Sequence, residues 1–337
     1  MLLKYFNSNK AGLLVLFPAI ALLLWLHTLL NPILSYSSDL AGPFGRFLVN
    51  RVSSIPRLSA FLAMTIVLFY GYLLVQLNVK YSFLKIRSQL PQLFFIFIGG
   101  SLLNLRFLSP AMLSALFIII LIYRLFDSFN KDRPDFNFLD AGILMAIAVL
   151  IYIPVVFYVP ILFITLILFR NGVWQEWVYP WIGFCMPFLF WSSYLFLTDQ
   201  SLNIIAEEFR RIFSSSGRVH DYSMVQLAFY GYLAFLILIG SFHMIRTINN
   251  RKIHSRVSFI FFLWLFILSV ITVWVIPSTG IEIIYTGGIS LAFLLSNYFA
   301  TCNNTRTNNL LLGLLVAGFF LVVLNDWFSF IPGHYSF

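Results

Sequence analysis

Long apolar runs, separated by short polar connectors, extend along almost the whole chain. The first run, residues 11–30, is about as long as an α-helix must be to cross a hydrocarbon core of roughly 30 Å. Ten similar runs follow it. The eleven candidate spans are 11–30, 59–78, 91–105, 110–125, 138–154, 155–170, 178–197, 224–245, 258–276, 281–300 and 309–325. The pattern predicts an all-α, polytopic transmembrane helical bundle that forms a single integral-membrane domain over residues 1–337.

The two runs within 138–170 have no charged residue between them. A single helix over these residues would be about 50 Å long, which is too long for one span. Pro154 and Pro160 mark a break, because a proline inside a helix removes a backbone hydrogen bond and clashes with the preceding turn. We therefore predict a tight hairpin of two spans.

Basic residues lie unevenly on the two sides of this predicted bundle. With the N-terminus in the cytoplasm, fourteen Lys and Arg residues fall in inner segments and seven in outer segments, as the positive-inside rule requires. Merging the runs of 138–170 into one span would place the cluster Arg246–Arg256 outside. We therefore expect eleven spans in a bacterial inner membrane, with a cytoplasmic N-terminus and a periplasmic C-terminus.

The composition excludes several classes of protein. Apolar residues make up 61% of the chain and charged residues 10%, whereas soluble domains have about 45–50% and about 25%. A soluble enzyme, a disordered chain and a disulfide scaffold are thereby excluded. The net charge of +9 comes from scattered residues and not from a basic block, so nucleic acid is not an expected partner.

Motifs of soluble enzymes are absent from the sequence: there is no P-loop, dinucleotide-binding glycine fingerprint, H-E-x-x-H or G-x-S-x-G. The five histidines form no pair at metal-ligand spacing on one helix, so we expect neither a metal nor a cofactor. Asp140 and Glu282 lie near span ends, where we expect them to reach water. Because no span carries a central charge, an ion-coupled transporter is disfavoured.

Two outer segments, residues 31–58 and 199–222, are longer than connectors need to be. In the second one, apolar residues recur at helical spacing between charged residues, at Leu202, Ile205, Phe209 and Phe213. This spacing predicts a short amphipathic helix on the outer surface. The two segments also hold most of the residues that are suited to chemistry.

Asp39, in the first outer segment, is the candidate catalytic residue. As a carboxylate at the membrane surface it is suited to act as a general base. Arg46, Arg51 and Arg57 follow it, and the planar guanidinium group matches phosphate oxygens bidentately. The alternative interpretation is an exposed loop aspartate with arginines that face lipid headgroups.

The other candidates for substrate binding lie in two further places. Arg106 follows span three in a short outer turn, where it either lines an outer cavity or extends to the interface. The second outer segment contributes Glu207, Arg210, Arg211 and His220. Their charges of alternating sign are also typical of a solvated helix face.

Several stretches resemble an uncharacterised integral-membrane family of the Bacteroidota, and the resemblance covers the whole chain. These stretches are Tyr5–Lys10, Phe138–Gly142, Tyr152–Arg170, Trp174–Trp177 and Thr198–Gln200. The resemblance implies a polytopic membrane protein but brings no activity with it.

The layout of the chain is also similar to that of GT-C-type glycosyltransferases, which use polyprenyl-phosphate sugars. In that family a first helix is followed by a long outer loop with an acidic residue and an amphipathic segment. The resemblance implies that Asp39 is the catalytic acid and that Arg210 or Arg211 holds the lipid phosphate. Where such enzymes often have a second acidic site, this chain has Asn104 and Arg106.

Three functional hypotheses follow from these patterns. The first is a GT-C-like glycosyltransferase, or an inactive relative, that acts on a polyprenyl-phosphate-linked sugar at the periplasmic face. The second is a non-catalytic subunit or scaffold that contacts other envelope proteins, and the third is a transporter. A hydrophilic outer cavity that joins a lipid-facing groove and is lined by Asp39 would favour the enzyme. A filled interior would favour the scaffold.

Overall fold

The computed structural model describes residues 11–32, 40–84, 88–101, 106–129, 135–169, 174–199, 207–210, 224–247, 253–276, 279, 282–301 and 305–328. Within these ranges nearly every residue is helical, and the only bridge of β type joins Ala41 to Tyr152. The all-α architecture that the hydrophobic pattern predicts is therefore confirmed.

The helices follow one another in the order that the apolar runs suggest. They are α1 (Ala11–Leu30), α2 (Pro43–Ser53), α3 (Pro56–Tyr81), α4 (Leu90–Gly100), α5 (Pro110–Asp127), α6 (Asp135–Ile151), a 3-10 segment (Ile153–Tyr158), α7 (Pro160–Phe169), α8 (Trp174–Leu197), α9 (Met224–Thr247), α10 (Ile253–Val275), α11 (Ile284–Thr301) and α12 (Thr305–Phe328).

Six of the described helices are long and apolar enough to cross a membrane by length and composition: α3, α5, α8, α9, α10 and α12. Shorter apolar stretches lie in α1, α4 and α6, and in the 3-10 segment together with α7. The protein is thus helical and suited to a lipid bilayer. Helix length and composition support six spans, whereas the hydrophobic pattern predicts eleven.

Two helices, α4 and α11, form the centre of the bundle. Almost every residue of each is buried. The hydroxyl groups of α11 donate to carbonyl oxygens of the same helix, as Ser290 does to Gly287 at 2.7 Å and Ser296 does to Ala292 at 2.6 Å. These hydroxyls lower the hydropathy of α11 without leaving buried donors unsatisfied, which suits a helix that packs against protein more than lipid.

The break that the prolines predict lies between α6 and α7. Helix α6 ends at Ile151, the 3-10 segment begins at Ile153, and α7 begins at Pro160. Pro154 and Pro160 both occupy the first turn of their segments, where a missing N–H has little effect. The chain therefore changes direction here without losing helical hydrogen bonds to proline.

Helices α6 and α8 cross closely and run in the same direction. Gly142 of α6 faces the carbonyl of Pro180, and Gly183 of α8 faces the carbonyl of Leu139, so that a side chain on either glycine would clash with the other helix. Small residues allow this backbone approach. Because the two helices are parallel, the 3-10 segment and α7 between them carry the chain back along the bundle.

The two ends of the bundle differ in character, and we call the end that carries α2 the α2 end. At the opposite end, Lys80 forms an ion pair with Asp127 at 2.7 Å, and the hydroxyl of Tyr81 donates to the same carboxylate at 2.7 Å. Arg124 lies 3.5 Å from Asp140, whose side chain is exposed as the sequence suggests. These contacts connect α3, α5 and α6 at their ends.

Candidate functional site

An apolar groove of about 660 Å³ opens on the side of the bundle near the α2 end. Helices α2, α6 and α8 form its walls. Residues that line it include Phe44, Phe47, Ile143, Ile147, Phe190 and Trp191. The rings of Phe44 and Trp191 meet edge to face at 5.2 Å, which connects α2 to α8 across the groove.

Helix α2 is held in place by the break between α6 and the 3-10 segment. The amide of Gly42 donates to the carbonyl of Ile151 at 2.9 Å, and the amide of Ile153 donates to the carbonyl of Leu40 at 3.3 Å. The pair of bonds uses backbone groups that the end of α6 leaves without helical partners. The first turn of α2 is therefore fixed against the α2 end of α6.

Helix α2 has one buried face and one exposed face. Gly45 and Val49 face the bundle and are buried, whereas Phe44, Phe47 and Leu48 are exposed. Arg46 lies on the same helix, and its side chain is 32% exposed. An apolar surface beside a guanidinium group is typical of a helix at a membrane interface.

Arg46 forms a bidentate ion pair with Glu208, which lies 162 positions later in the chain. Its Nη1 donates to Oε1 at 2.9 Å and its Nη2 donates to Oε2 at 2.6 Å. The Glu208 side chain is only 11% exposed, so much of the pair is shielded from water. Pairs with this geometry are among the stronger hydrogen-bonded contacts in proteins.

The glutamate of this ion pair lies close to the groove. A second, much smaller cavity is lined by Glu208, Phe209, Pro43 and Trp191, and the last two of these residues also line the groove. Glu208 and Phe209 of the second outer segment therefore adjoin the groove. The apolar groove and the carboxylate of Glu208 are thus neighbours.

The other described candidates of the outer segments have exposed side chains. Arg51 and Arg57 are exposed, and the guanidinium group of Arg51 lies 4.8 Å from the ring centre of Phe47. Glu207 and Arg210 are exposed on the helical turn that holds Glu208. The glutamate that contacts Arg46 is therefore Glu208 and not the candidate Glu207.

Arg106 is fully buried, so the interpretation that it extends to the interface is wrong. Its Nε donates to the carbonyl of Gly100 at 3.0 Å, and its own carbonyl accepts from Trp25 at 2.9 Å. Glu282 is only 7% exposed, and the expectation that it reaches water is also wrong. Both residues lie near the buried Tyr285, so they belong to a buried polar cluster.

Three of the sequence candidates, Asp39, Arg211 and His220, lie outside the described residues. Among the residues that the structure does describe, no group of three or more His, Cys, Asp or Glu side chains is arranged to hold a metal ion. The lining of the groove itself is almost entirely apolar, in contrast to the hydrophilic cavity that would favour an enzyme.

Sequence reasoning selected Arg46 but missed both its partner and the groove. The available signal was that one long outer segment contains Arg46 and the other contains the acidic pair Glu207-Glu208. This signal does not say which glutamate turns inward. The groove has no local signal, because its walls come from three helices that are distant in sequence.

A family profile described as a family of unknown function, DUF6427, matches residues 47–326. The matched range includes Glu208 and most of the groove and begins one residue after Arg46. Neither a curated protein nor a solved structure matches the chain.

Proposed function

This chain belongs to the DUF6427 family, a family of unknown function. From the geometry of the groove and of Arg46, we propose that it binds a lipid with an anionic phosphate headgroup. The hydrocarbon chain lies in the groove between α2, α6 and α8, and Arg46 contacts the headgroup. The polyprenyl-phosphate-linked sugar that the sequence suggests is a ligand of this kind.

The observation that carries the proposal is that Glu208, the ion-pair partner of Arg46, lines a small cavity that shares Pro43 and Trp191 with the apolar groove. The aromatic and aliphatic walls suit a hydrocarbon chain that enters from the bilayer. A guanidinium group suits phosphate because its fork of N–H donors matches two phosphate oxygens. Apolar walls with one well-placed charged group are a common design of ligand sites.

The reaction that we propose is glycosyl transfer of the GT-C kind, with Asp39 as the general base. Asp39 takes the proton from an acceptor hydroxyl, whose oxygen forms a bond to the anomeric carbon of the sugar. The bond between that carbon and the phosphate oxygen breaks, and the phosphate leaves with the electron pair. Arg46 then stabilises the charge of the leaving phosphate. The carbonyl of Leu40, the residue next to Asp39 in sequence, accepts from the amide of Ile153, which lines the small cavity next to the groove, and this supports the assignment.

We also propose the eleven-span topology in a bacterial inner membrane, with the α2 end facing the periplasm. The rings of His27 and Trp327 lie 5.2 Å apart, so the C-terminal ends of α1 and α12 meet at the α2 end. The first and the last helix therefore run in the same direction, which requires an odd number of passes. The parallel packing of α6 and α8 supports two passes between the start of α6 and the start of α8.

Lipid binding is tested with the purified full chain and two probes, a polyprenyl monophosphate and the matching polyprenyl alcohol. Native mass spectrometry measures the fraction of protein that retains each probe. We expect the wild type to retain the phosphate in preference to the alcohol. Arg46→Gln should lower retention of the phosphate by about tenfold, because a charge-assisted bidentate contact is lost.

Arg57→Gln is the matched control, because it removes the same charge from an exposed position outside the groove. It should leave retention unchanged. Equal retention of both probes by the wild type, or unchanged retention in Arg46→Gln, would refute the proposal. Asp39→Asn tests the transfer step separately: it should retain the lipid and lose transfer of a labelled sugar.

A scaffold is the second candidate, and the outer face of α8 favours it. This helix is the least buried of the six long helices, and Trp181, Phe190 and Phe196 are exposed along it. In that case native purification should yield a second envelope protein in stoichiometric amount, and the Arg46→Gln variant should retain it.

A further inference from the structure

We infer that Glu208 is a built-in competitor for the headgroup, so that the site selects a lipid phosphate monoester, which is the leaving group of the proposed transfer, over the singly charged phosphodiester of its donor. The inference rests on the proposed function, because it concerns the same Arg46. It adds the class of headgroup and assigns a specificity-determining role to a residue that contacts Arg46 rather than the lipid.

The geometry of the pair is the first step of the argument. Both terminal nitrogens of Arg46 donate to the two oxygens of the Glu208 carboxylate, at 2.9 and 2.6 Å. This is the arrangement in which a guanidinium group also binds two phosphate oxygens. A headgroup that uses the same two nitrogens must therefore displace the carboxylate.

The position of Glu208 is the second step. Its side chain is 11% exposed, and it lines the small cavity that adjoins the groove. The neighbouring Glu207 is exposed instead. The helical turn thus directs one of two adjacent carboxylates to the small cavity next to the groove and leaves the other exposed.

The contacts of the turn are the third step. Phe209 partly buries its ring near Phe188, with ring centres 6.4 Å apart. This apolar contact holds the turn on the bundle independently of the ion pair. The carboxylate is therefore able to leave Arg46 while the turn stays in place.

Charge decides which ligands displace Glu208. Glu208 belongs to the same chain as Arg46, so its carboxylate competes with the headgroup for Arg46 at an effective concentration of the order of millimolar. A phosphate monoester carries about −1.5 to −2 charges at pH 7 and three acceptor oxygens, and the groove adds the apolar contact of its chain. A phosphodiester with one negative charge, a zwitterionic lipid and a carboxylate lipid all lack this advantage in charge. The site therefore favours the phosphate monoester.

The test compares Glu208→Gln with Glu207→Gln by native mass spectrometry of the full chain. The substitution Glu208→Gln keeps the shape of the side chain but removes its charge. We expect it to raise retention of the polyprenyl monophosphate by about fivefold to tenfold, since the competing ion pair is weakened. Glu207→Gln removes the same charge one residue away and should leave retention unchanged.

Two further measurements separate this inference from a structural role. Dipalmitoyl phosphatidic acid and dipalmitoyl phosphatidylcholine, which have equal chains, should differ in retention, and Glu208→Gln should increase binding of the former alone. If the ion pair only stabilises the turn, Glu208→Gln and Arg46→Gln will both lower retention and the melting temperature.

The possible outcomes distinguish the two proposals. Lower retention in Arg46→Gln together with higher retention in Glu208→Gln supports both. Lower retention in Arg46→Gln without a gain in Glu208→Gln overturns the competitor role and leaves lipid binding intact. Unchanged retention in Arg46→Gln overturns the proposed function itself.

Discussion

At the scale of single residues, two arginines of the polar connectors have opposite environments. Arg106 is fully buried and donates to the carbonyl of Gly100, whereas Arg46 is partly exposed and pairs with Glu208. The local sequence does not tell which of them is buried, because both lie in polar segments between apolar runs. Sequence reasoning therefore identified suitable residue types, but burial and pairing depend on helices that are remote in the chain.

Two glycines at the start of α2 determine how closely this helix approaches α6. A Cβ atom on Gly42 would clash with the carbonyl of Leu150, and one on Gly45 would clash with the carbonyl of Ile151. Backbone carbonyls cannot rotate away as side chains do. We expect Gly42→Ala and Gly45→Ala each to lower the free energy of unfolding by about 1–3 kcal/mol, measured by denaturation in mixed detergent micelles.

Gly231→Ala in α9 is the control for this prediction. Among the described residues, no atom lies within 4 Å of the position that its Cβ would take. Alanine is the better helix former by about 0.8–1.0 kcal/mol, so this variant should be neutral or more stable. Equal stability of Gly42→Ala and Gly231→Ala would contradict the close approach of α2.

At the scale of elements, the sequence predicts where the helix over residues 138–170 is interrupted but not the conformation of the interruption. Pro154 and Pro160 locate it, and the structure places a 3-10 segment between them instead of a simple turn. The reason is tertiary: Tyr158 of this segment is completely buried and bonds to α10, while Leu40 bonds to its first residue. Such contacts fix the backbone but leave no periodic signal.

Tyr158 connects the 3-10 segment to two other helices. Its hydroxyl donates to Ser269 of α10 at 2.8 Å and lies 3.1 Å from the hydroxyl of Thr286 in α11. Both of these residues also donate to carbonyls of their own helices, so they keep a partner if Tyr158 is changed. We expect Tyr158→Phe to lower the free energy of unfolding by about 1 kcal/mol, as is typical of hydrogen bonds between membrane helices.

Denaturant titration of Tyr158→Phe against Tyr72→Phe measures this contribution. Tyr72 lies on α3 and is half exposed, so loss of its hydroxyl should change the free energy of unfolding by less than about 0.5 kcal/mol. If the two variants are equally stable, Tyr158 does not connect the three elements.

At the scale of the whole molecule, the hydrophobic pattern predicts the class of protein, and the structure confirms a helical bundle suited to a bilayer. The number of passes does not follow from length and hydropathy, because α4 and α7 are short and α11 has polar side chains in the core. Length and hydropathy alone do not count such helices as spans. The directions of these helices relative to their neighbours indicate instead whether they cross the membrane.

Sidedness of two exposed positions tests the number of passes directly. Ser54 follows α2, and Arg256 lies in the first turn of α10. With two passes over residues 138–170, seven passes separate these positions, and they lie on opposite sides of the membrane. With one pass, six separate them, and they lie on the same side. The test uses single cysteines, Ser54→Cys and Arg256→Cys, in a chain with Cys185 and Cys302 changed to serine.

A membrane-impermeant maleimide applied to spheroplasts should label Ser54→Cys at once. It should label Arg256→Cys only after the membrane is permeabilised, because the basic start of α10 faces the cytoplasm under the positive-inside rule. The parent without cysteine gives the background. Labelling of both positions in intact spheroplasts would mean that residues 138–170 cross the membrane once. The start of α10 would then lie on the side of the membrane opposite to the Lys80–Asp127 pair. Labelling of Arg256→Cys alone would instead invert the bundle and place the groove and Arg46 on the cytoplasmic side.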